Sequence, residues 1–225
     1  MEIRDNLLRV KERIARAAER AGRDPGEVKL VVVSKGRTVS EIKEVLAAGH
    51  RSLGENRAQE LREKMAALPD DVEWHFVGHL QTNKVNMVVG KVRLIHSLDS
   101  LRLAEVVSAR ACRLGTVQEV LLQVNVSGEA SKFGIAPGEA EELLEKLAAL
   151  PGLRVKGLMT MAPAWAEGES ARPFFQRLRE LREELRRSFP ETCLDHLSMG
   201  MTQDYEVAVE EGADLVRVGT AVFSG

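Results

Sequence analysis

Eight short apolar runs are spaced along the 225-residue chain, and a segment with helical periodicity follows all but the last. The runs are VKLVVVS (28–34), RSLGE (51–55), WHFVGH (74–79), VRLIHSL (92–98), EVLLQVNVS (119–127), VKGLMTMA (155–162), CLDHLSMG (193–200) and ADLVRVGTAVF (213–223). Strands this apolar bury both faces, so they belong in a parallel sheet with helices outside it. Eight β/α units in this length predict a single (β/α)8 TIM barrel, near the compact end of a type that typically takes about 250 residues. An open doubly wound sheet has the same periodicity and is the competing expectation. Nothing in the chain reads as a linker, so residues 1–225 form one domain.

The helices can be placed by their punctuation. Residues 2–21 carry Ile3, Leu7, Val10, Ile14 and Ala17 on one stripe, ended by Gly22 and Pro25. This extra N-terminal helix is expected to cover the wall that a missing eighth helix leaves bare, since little chain follows the last strand. TVSE (38–41) is a capping box that opens a helix at 39–48. Asn56 and Asp99 read as helix caps, and the charged helix at 168–187 as a solvated face.

Charge and composition exclude several classes. The formal net charge is −2, from 34 acidic and 32 basic residues, so there is no basic footprint for nucleic acid. No apolar stretch reaches the roughly 18 residues of a membrane helix, and the charged N-terminus is not a signal peptide. A cytoplasmic location and a monomer are expected. Cys112 and Cys193 show no ligand or disulfide spacing and read as buried small hydrophobes. His75 and His79 lack the glutamate of a zinc motif and read as core or loop histidines, with no metal.

In a barrel, function gathers at the C-terminal strand ends. There the chain places Lys35, GEN (54–56), NVSGEASKFG (125–134), SMGM (198–201) and RVGT (217–220). Ser127, Gly128 and Gly134 suit a turn. Ser198, Gly200, Gly219 and Thr220 supply the hydroxyls and close backbone approach that bind phosphate at strands seven and eight. Lys35 leaves the first strand; one reading is a lysine snorkelling to water. The other is a partly desolvated amine that forms a Schiff base. An aldehyde at one end and a phosphate at the other describes pyridoxal 5′-phosphate, with Arg217 able to face its pyridine nitrogen.

The motifs VVVSK, GENRAQE, WHFVGHLQTNK, IHSLDS, VNVSGEASKFG, GLMTMA and SMGMTQDYEVAVEEGADLVRVGTAVF cover nearly the whole chain. In them the sequence closely resembles the pyridoxal phosphate homeostasis protein family, the YggS/PROSC type. The resemblance implies the barrel of the alanine racemase N-terminal domain and pyridoxal phosphate on Lys35. It also implies Ser198, Gly200, Gly219 and Thr220 around the phosphate, Arg217 at the ring nitrogen and Asn56 near the ring. Lys132 matches a lysine implicated in handing the cofactor over. The chain departs from the family in Gly36, Arg37 and Thr38, where a second lysine often follows the first; some members also carry a basic C-terminal extension, whereas this sequence stops at Gly225.

The expected role is to hold, buffer and deliver the cofactor, with apo pyridoxal-phosphate enzymes as recipients. The alternative is a fold-type III enzyme such as an amino-acid racemase. An arginine at the ring nitrogen weakens the electron sink such chemistry uses. The single tyrosine, Tyr205, reads as a packing residue with a partly wet hydroxyl. A phosphosugar-binding barrel enzyme is a third reading, in which phosphate-ester binding does not depend on Lys35.

Overall fold

The computed structural model describes residues 2–130 and 132–224. Eight parallel strands close into a barrel in chain order. They are β1 Lys29–Val33, β2 Ser52–Glu55, β3 Glu73–Phe76, β4 Leu94–Leu98, β5 Gln118–Gln123, β6 Leu153–Met159, β7 His196–Ser198 and β8 Leu215–Val218. Closure is settled by β1, which pairs with β2 on one side and with β8 on the other, Val31 lying opposite Arg217. An open sheet would leave β1 or β8 as an edge.

The helices are α1 Ile3–Arg20, α2 Val39–Ala47, α3 Ala58–Ala67, α4 Val85–Val88, α5 Leu101–Arg113, α6 Ala140–Ala148, α7 Arg172–Ser188, α8 Tyr205–Glu210 and α9 Thr220–Phe223. Thr38 caps α2 with the reciprocal Glu41 bonds its sequence predicts. Ser100, not Asp99, caps α5: its side chain accepts from the Leu103 N–H, while Asp99 bonds His79. The eighth strand is shorter than expected. It ends at Val218, and Thr220–Phe223 turns into one helical turn, α9, where the sequence reads as continuing strand.

Alternation along each strand divides the core in two. Outward residues such as Val32, Leu53, Trp74, Ile95, Leu122, Leu158, Leu197 and Val216 pack against the helices. Inward residues Val31, Leu94, Leu121, Met159 and Leu215 form a separate cluster inside the barrel.

Helix α1 covers the expected gap. Ile3, Leu7, Val10 and Ile14 are buried, at about 1.5–3 kcal/mol each as an upper bound. Polar bonds fix its seat: Asn6 Nδ2 donates to Val222 O at 3.1 Å, and Arg23 Nη1 donates to Val209 O and Ala213 O.

Both cysteines are exposed, which corrects the buried reading. Cys112 lies on the outer side of the last turn of α5, and Cys193 in the loop before β7, because that strand starts only at His196. Among the described residues no helix is long and apolar enough to cross a membrane, and no cluster of three or more His, Cys, Asp or Glu is placed to hold a metal.

Candidate functional site

The ends of β1, β2, β7 and β8 enclose a cleft of about 250 Å³. Lys35, Asn56, Arg217, Gly219 and Thr220 are all on its wall, so five residues singled out in the sequence meet there. The volume is below the about 300–1,000 Å³ of pockets for drug-sized ligands, so it suits one small molecule.

Lys35 sits two residues beyond β1 and is exposed, so the desolvation expected from the sequence is not found. Its amine takes no hydrogen-bond or ion-pair partner among the described residues. The backbone on either side is held firmly. Lys64, buried on α3, donates from Nζ to Ser34 O at 2.7 Å, to Glu55 Oε1 at 2.5 Å and to Glu60 Oε2 at 3.2 Å. Ser34 Oγ donates to Glu55 Oε1 at 2.6 Å, and the Gly36 N–H to Glu60 Oε2 at 2.9 Å. That Gly36 bond is the main reason the Glu60 carboxyl is held below its ordinary value, with Lys64 assisting against partial burial. Lys35 is therefore a free amine on a pinned main chain.

Asn56 is not the cap of α3; that position falls to Arg57, whose side chain makes no capping bond. The Asn56 Oδ1 is instead buried with no partner among the described residues. On the cleft wall, that is an acceptor a ligand can satisfy.

The anion cup differs in detail from expectation. Thr202, Gln203, Gly219 and Thr220 line the cleft, and their backbone N–H groups take no partner among the described residues. Converging free N–H groups form a ready anion site. Arg37 is also on this wall, held by Ser224 Oγ at 2.7 Å and lying over the Phe223 ring. It brings a positive charge to the place where the sequence showed only a missing lysine. Thr202 was legible solely as a helix cap; α8 begins after Asp204 instead.

Ser198 and Gly200 do not reach the wall. Ser198 is wholly buried inside the barrel, and Gly200 is needed for packing: at φ +93°, an added Cβ would lie 2.5 Å from the Ala208 Cβ. A Cβ on Gly219 would come within 2.9 Å of Val33 O. Both glycines thus let the two loops close down on their neighbours.

Arg217 points from β8 into the barrel mouth. Nη1 donates to Ser198 Oγ at 2.5 Å and Nη2 to Thr160 O at 2.8 Å. Burial lowers its pKa to about 10, which leaves it charged at neutral pH, and Asp204 offsets part of that shift. Tyr205 lies behind the cup, but its hydroxyl is buried without a partner among the described residues rather than partly wet.

Lys132 is away from the wall. On the loop after β5, it donates to Ala162 O at 2.7 Å and pairs with Glu129 at 3.3 Å, tying that loop to the one after β6. Asn125 Oδ1 accepts from Ser127 Oγ and the Gly128 N–H, so this segment is a turn as expected. His79 stacks on Phe133 in the same region, and His75 is a core histidine.

Residues 6–225 match the family model for the alanine racemase N-terminal domain. A pyridoxal phosphate homeostasis protein of Aquifex aeolicus is 50% identical over 97% of this chain and 96% of its own length. One from Pseudomonas aeruginosa is 43% identical over 98% and 94%. Among solved structures, PipY of Synechococcus elongatus, determined with PLP bound, superposes with a TM-score of 0.83 at 37% identity, covering 94% of this chain and all of PipY.

Proposed function

The chain belongs to the alanine racemase N-terminal domain family and, within it, to the pyridoxal phosphate homeostasis proteins, and from that membership we propose that it binds pyridoxal 5′-phosphate in this cleft and buffers or delivers it. The supporting observation is that an unpartnered amine, an orphaned acceptor, a buried guanidinium and four free N–H groups share one small wall. The donor set fits the cofactor. Lys35 would hold the aldehyde carbon as a Schiff base, with loss of one water. Gly219, Thr220, Thr202 and Gln203 would receive the phosphate, with Arg37 balancing its charge. Arg217 would face the ring nitrogen and Asn56 the ring edge.

Bound cofactor supplies an electrophilic carbon and an electron-withdrawing ring. This chain's residues favour holding over turnover. A cationic Arg217 disfavours protonation of the ring nitrogen, and the one tyrosine is sealed behind the cup. The fold-type III racemase reading therefore lacks a second acid or base from the described wall. Lys132, on the loop after β5 and tied to Ala162 O, would act in transfer only after that tie is released. Recipient apo-enzymes and a monomeric state complete the proposal.

Borohydride trapping of the loaded protein, followed by peptide mass mapping, tests it. The expected adduct is on Lys35 and vanishes in Lys35→Ala. A wild type that retains no cofactor, or an adduct on another lysine, refutes the assignment.

A further inference from the structure

A line of buried polar groups runs down the barrel interior from Arg217 to the opposite end. Arg217 Nη1 meets Ser198 Oγ at 2.5 Å, Ser198 Oγ meets His96 Nδ1 at 2.7 Å, and His96 Nε2 meets His75 Nδ1 at 2.9 Å. His75 Nε2 then meets Glu73 Oε1 at 2.9 Å, and Glu73 pairs with Lys29 at the start of β1. Ser198 and His96 have no exposed surface, and His75 has 2%.

The two ends fix the direction of every bond between them. A guanidinium only donates, so Ser198 Oγ accepts from Arg217 and turns its own hydrogen to His96 Nδ1. A carboxylate only accepts, so His75 donates to it from Nε2. Neutral imidazole has one donor and one acceptor nitrogen; hence His75 Nδ1 accepts, and His96 donates to it from Nε2. The opposite order would set a bare His75 nitrogen against the Glu73 lone pairs. Burial lowers both histidines below their ordinary pKa, and the His75 bond is the main cause that takes Glu73 to about 2, so the required charge states hold near neutral pH.

We propose that Ser198, His96, His75 and Glu73 form a one-way hydrogen-bonded chain that positions Arg217 from behind and aims its charge at the cofactor cleft. They are positioning residues, and this role rests on the proposed function for the cofactor half of its meaning. Ser198, read from the sequence as a phosphate ligand, is the first link. Satisfied buried networks of this kind polarise in series and specify one arrangement.

The test has two arms. In cofactor-free protein, ring-15N NMR of labelled histidine is expected to show His75 and His96 neutral, each with its proton on Nε2. A proton on Nδ1 of either ring, or a charged His75, overturns the chain. In loaded protein, His96→Phe is expected to weaken cofactor retention about tenfold, the scale of one hydrogen bond to a charged group, and to shift the visible absorption band. His96→Gln accepts from Ser198 and donates to His75, so it is expected to restore both. A folded His96→Phe with wild-type retention and spectrum overturns the positioning role. A wild type that binds no cofactor refutes the proposed function and the positioning claim together, whereas the NMR arm still decides the chain on its own.

Discussion

Replacing Lys64 with methionine tests whether the cluster beneath Lys35 is held by its ion pair. Methionine keeps an unbranched stem and removes the ammonium. Glu55, whose side chain has no exposed surface, is then left with the Ser34 hydroxyl and the Asn56 N–H, and Ser34 O keeps only the Arg37 N–H of its two donors. Removing one partner of a buried pair costs about 3–5 kcal/mol. The Glu60 contact, partly exposed, adds less than about 1 kcal/mol. At about 2–4 °C per kcal/mol for a domain of this size, the Tm is expected to fall by roughly 6–20 °C. Urea unfolding followed by circular dichroism gives the free energy directly, and hydrogen exchange at residues 34–36 reports the loosened loop. Glu55→Gln with Lys64→Met removes both charges and is expected to recover at least about half the loss. A single variant within about 1 kcal/mol of wild type, or a double variant no better than the sum of its parts, would refute the reasoning.

Two further outcomes follow from particular side chains. Burial takes His50 from 6.5 to about 4, so between those values the unfolded chain binds a proton that the folded one refuses. Its contribution is complete above 6.5 and is lost as pH falls to about 4, by about 3 kcal/mol in all; His50→Gln should flatten that limb of the stability profile, and an unchanged slope counts against it. Gly200→Ala faces both φ +93° and a 2.5 Å contact with Ala208, whereas Gly36→Ala at φ +67° meets open space. The first should cost more than about 2 kcal/mol and the second about 1 kcal/mol in a denaturant titration, and equal losses would contradict the packing account.

The barrel was legible because its signals are local. Apolar runs at regular spacing and the Thr38–Glu41 box each act within a few residues. Lys35, Arg217, Gly219 and Thr220 were legible because a barrel gathers its strand ends. What escaped depends on contacts through space. The Glu55–Lys64 pair joins a strand to a helix that reads as amphipathic, and nothing in the spacing of His75, His96 and Ser198 reveals that they stack along one interior line. Ser198 belongs to the cup by its sequence neighbours, but strand alternation turns its side chain into the barrel, where it is fully buried. TAVF has strand propensity, yet β8 stops at Val218 and the chain turns into α9 after Gly219, where an added Cβ would lie 2.9 Å from Val33 O. Asn56 failed as a cap for a similar reason, since α3 starts two residues later.

The seat of α1 has a consequence for how this chain reaches its native state. Its apolar stripe and Asn6 find their partners in α8 and α9, Asn6 and Val222 standing 216 positions apart in the chain. During synthesis that greasy stripe stays uncovered until almost all the later units exist. Such long-range closure is slow and exposes sticky surface meanwhile, so the last joint to form is also where misassembly and chaperone capture should concentrate.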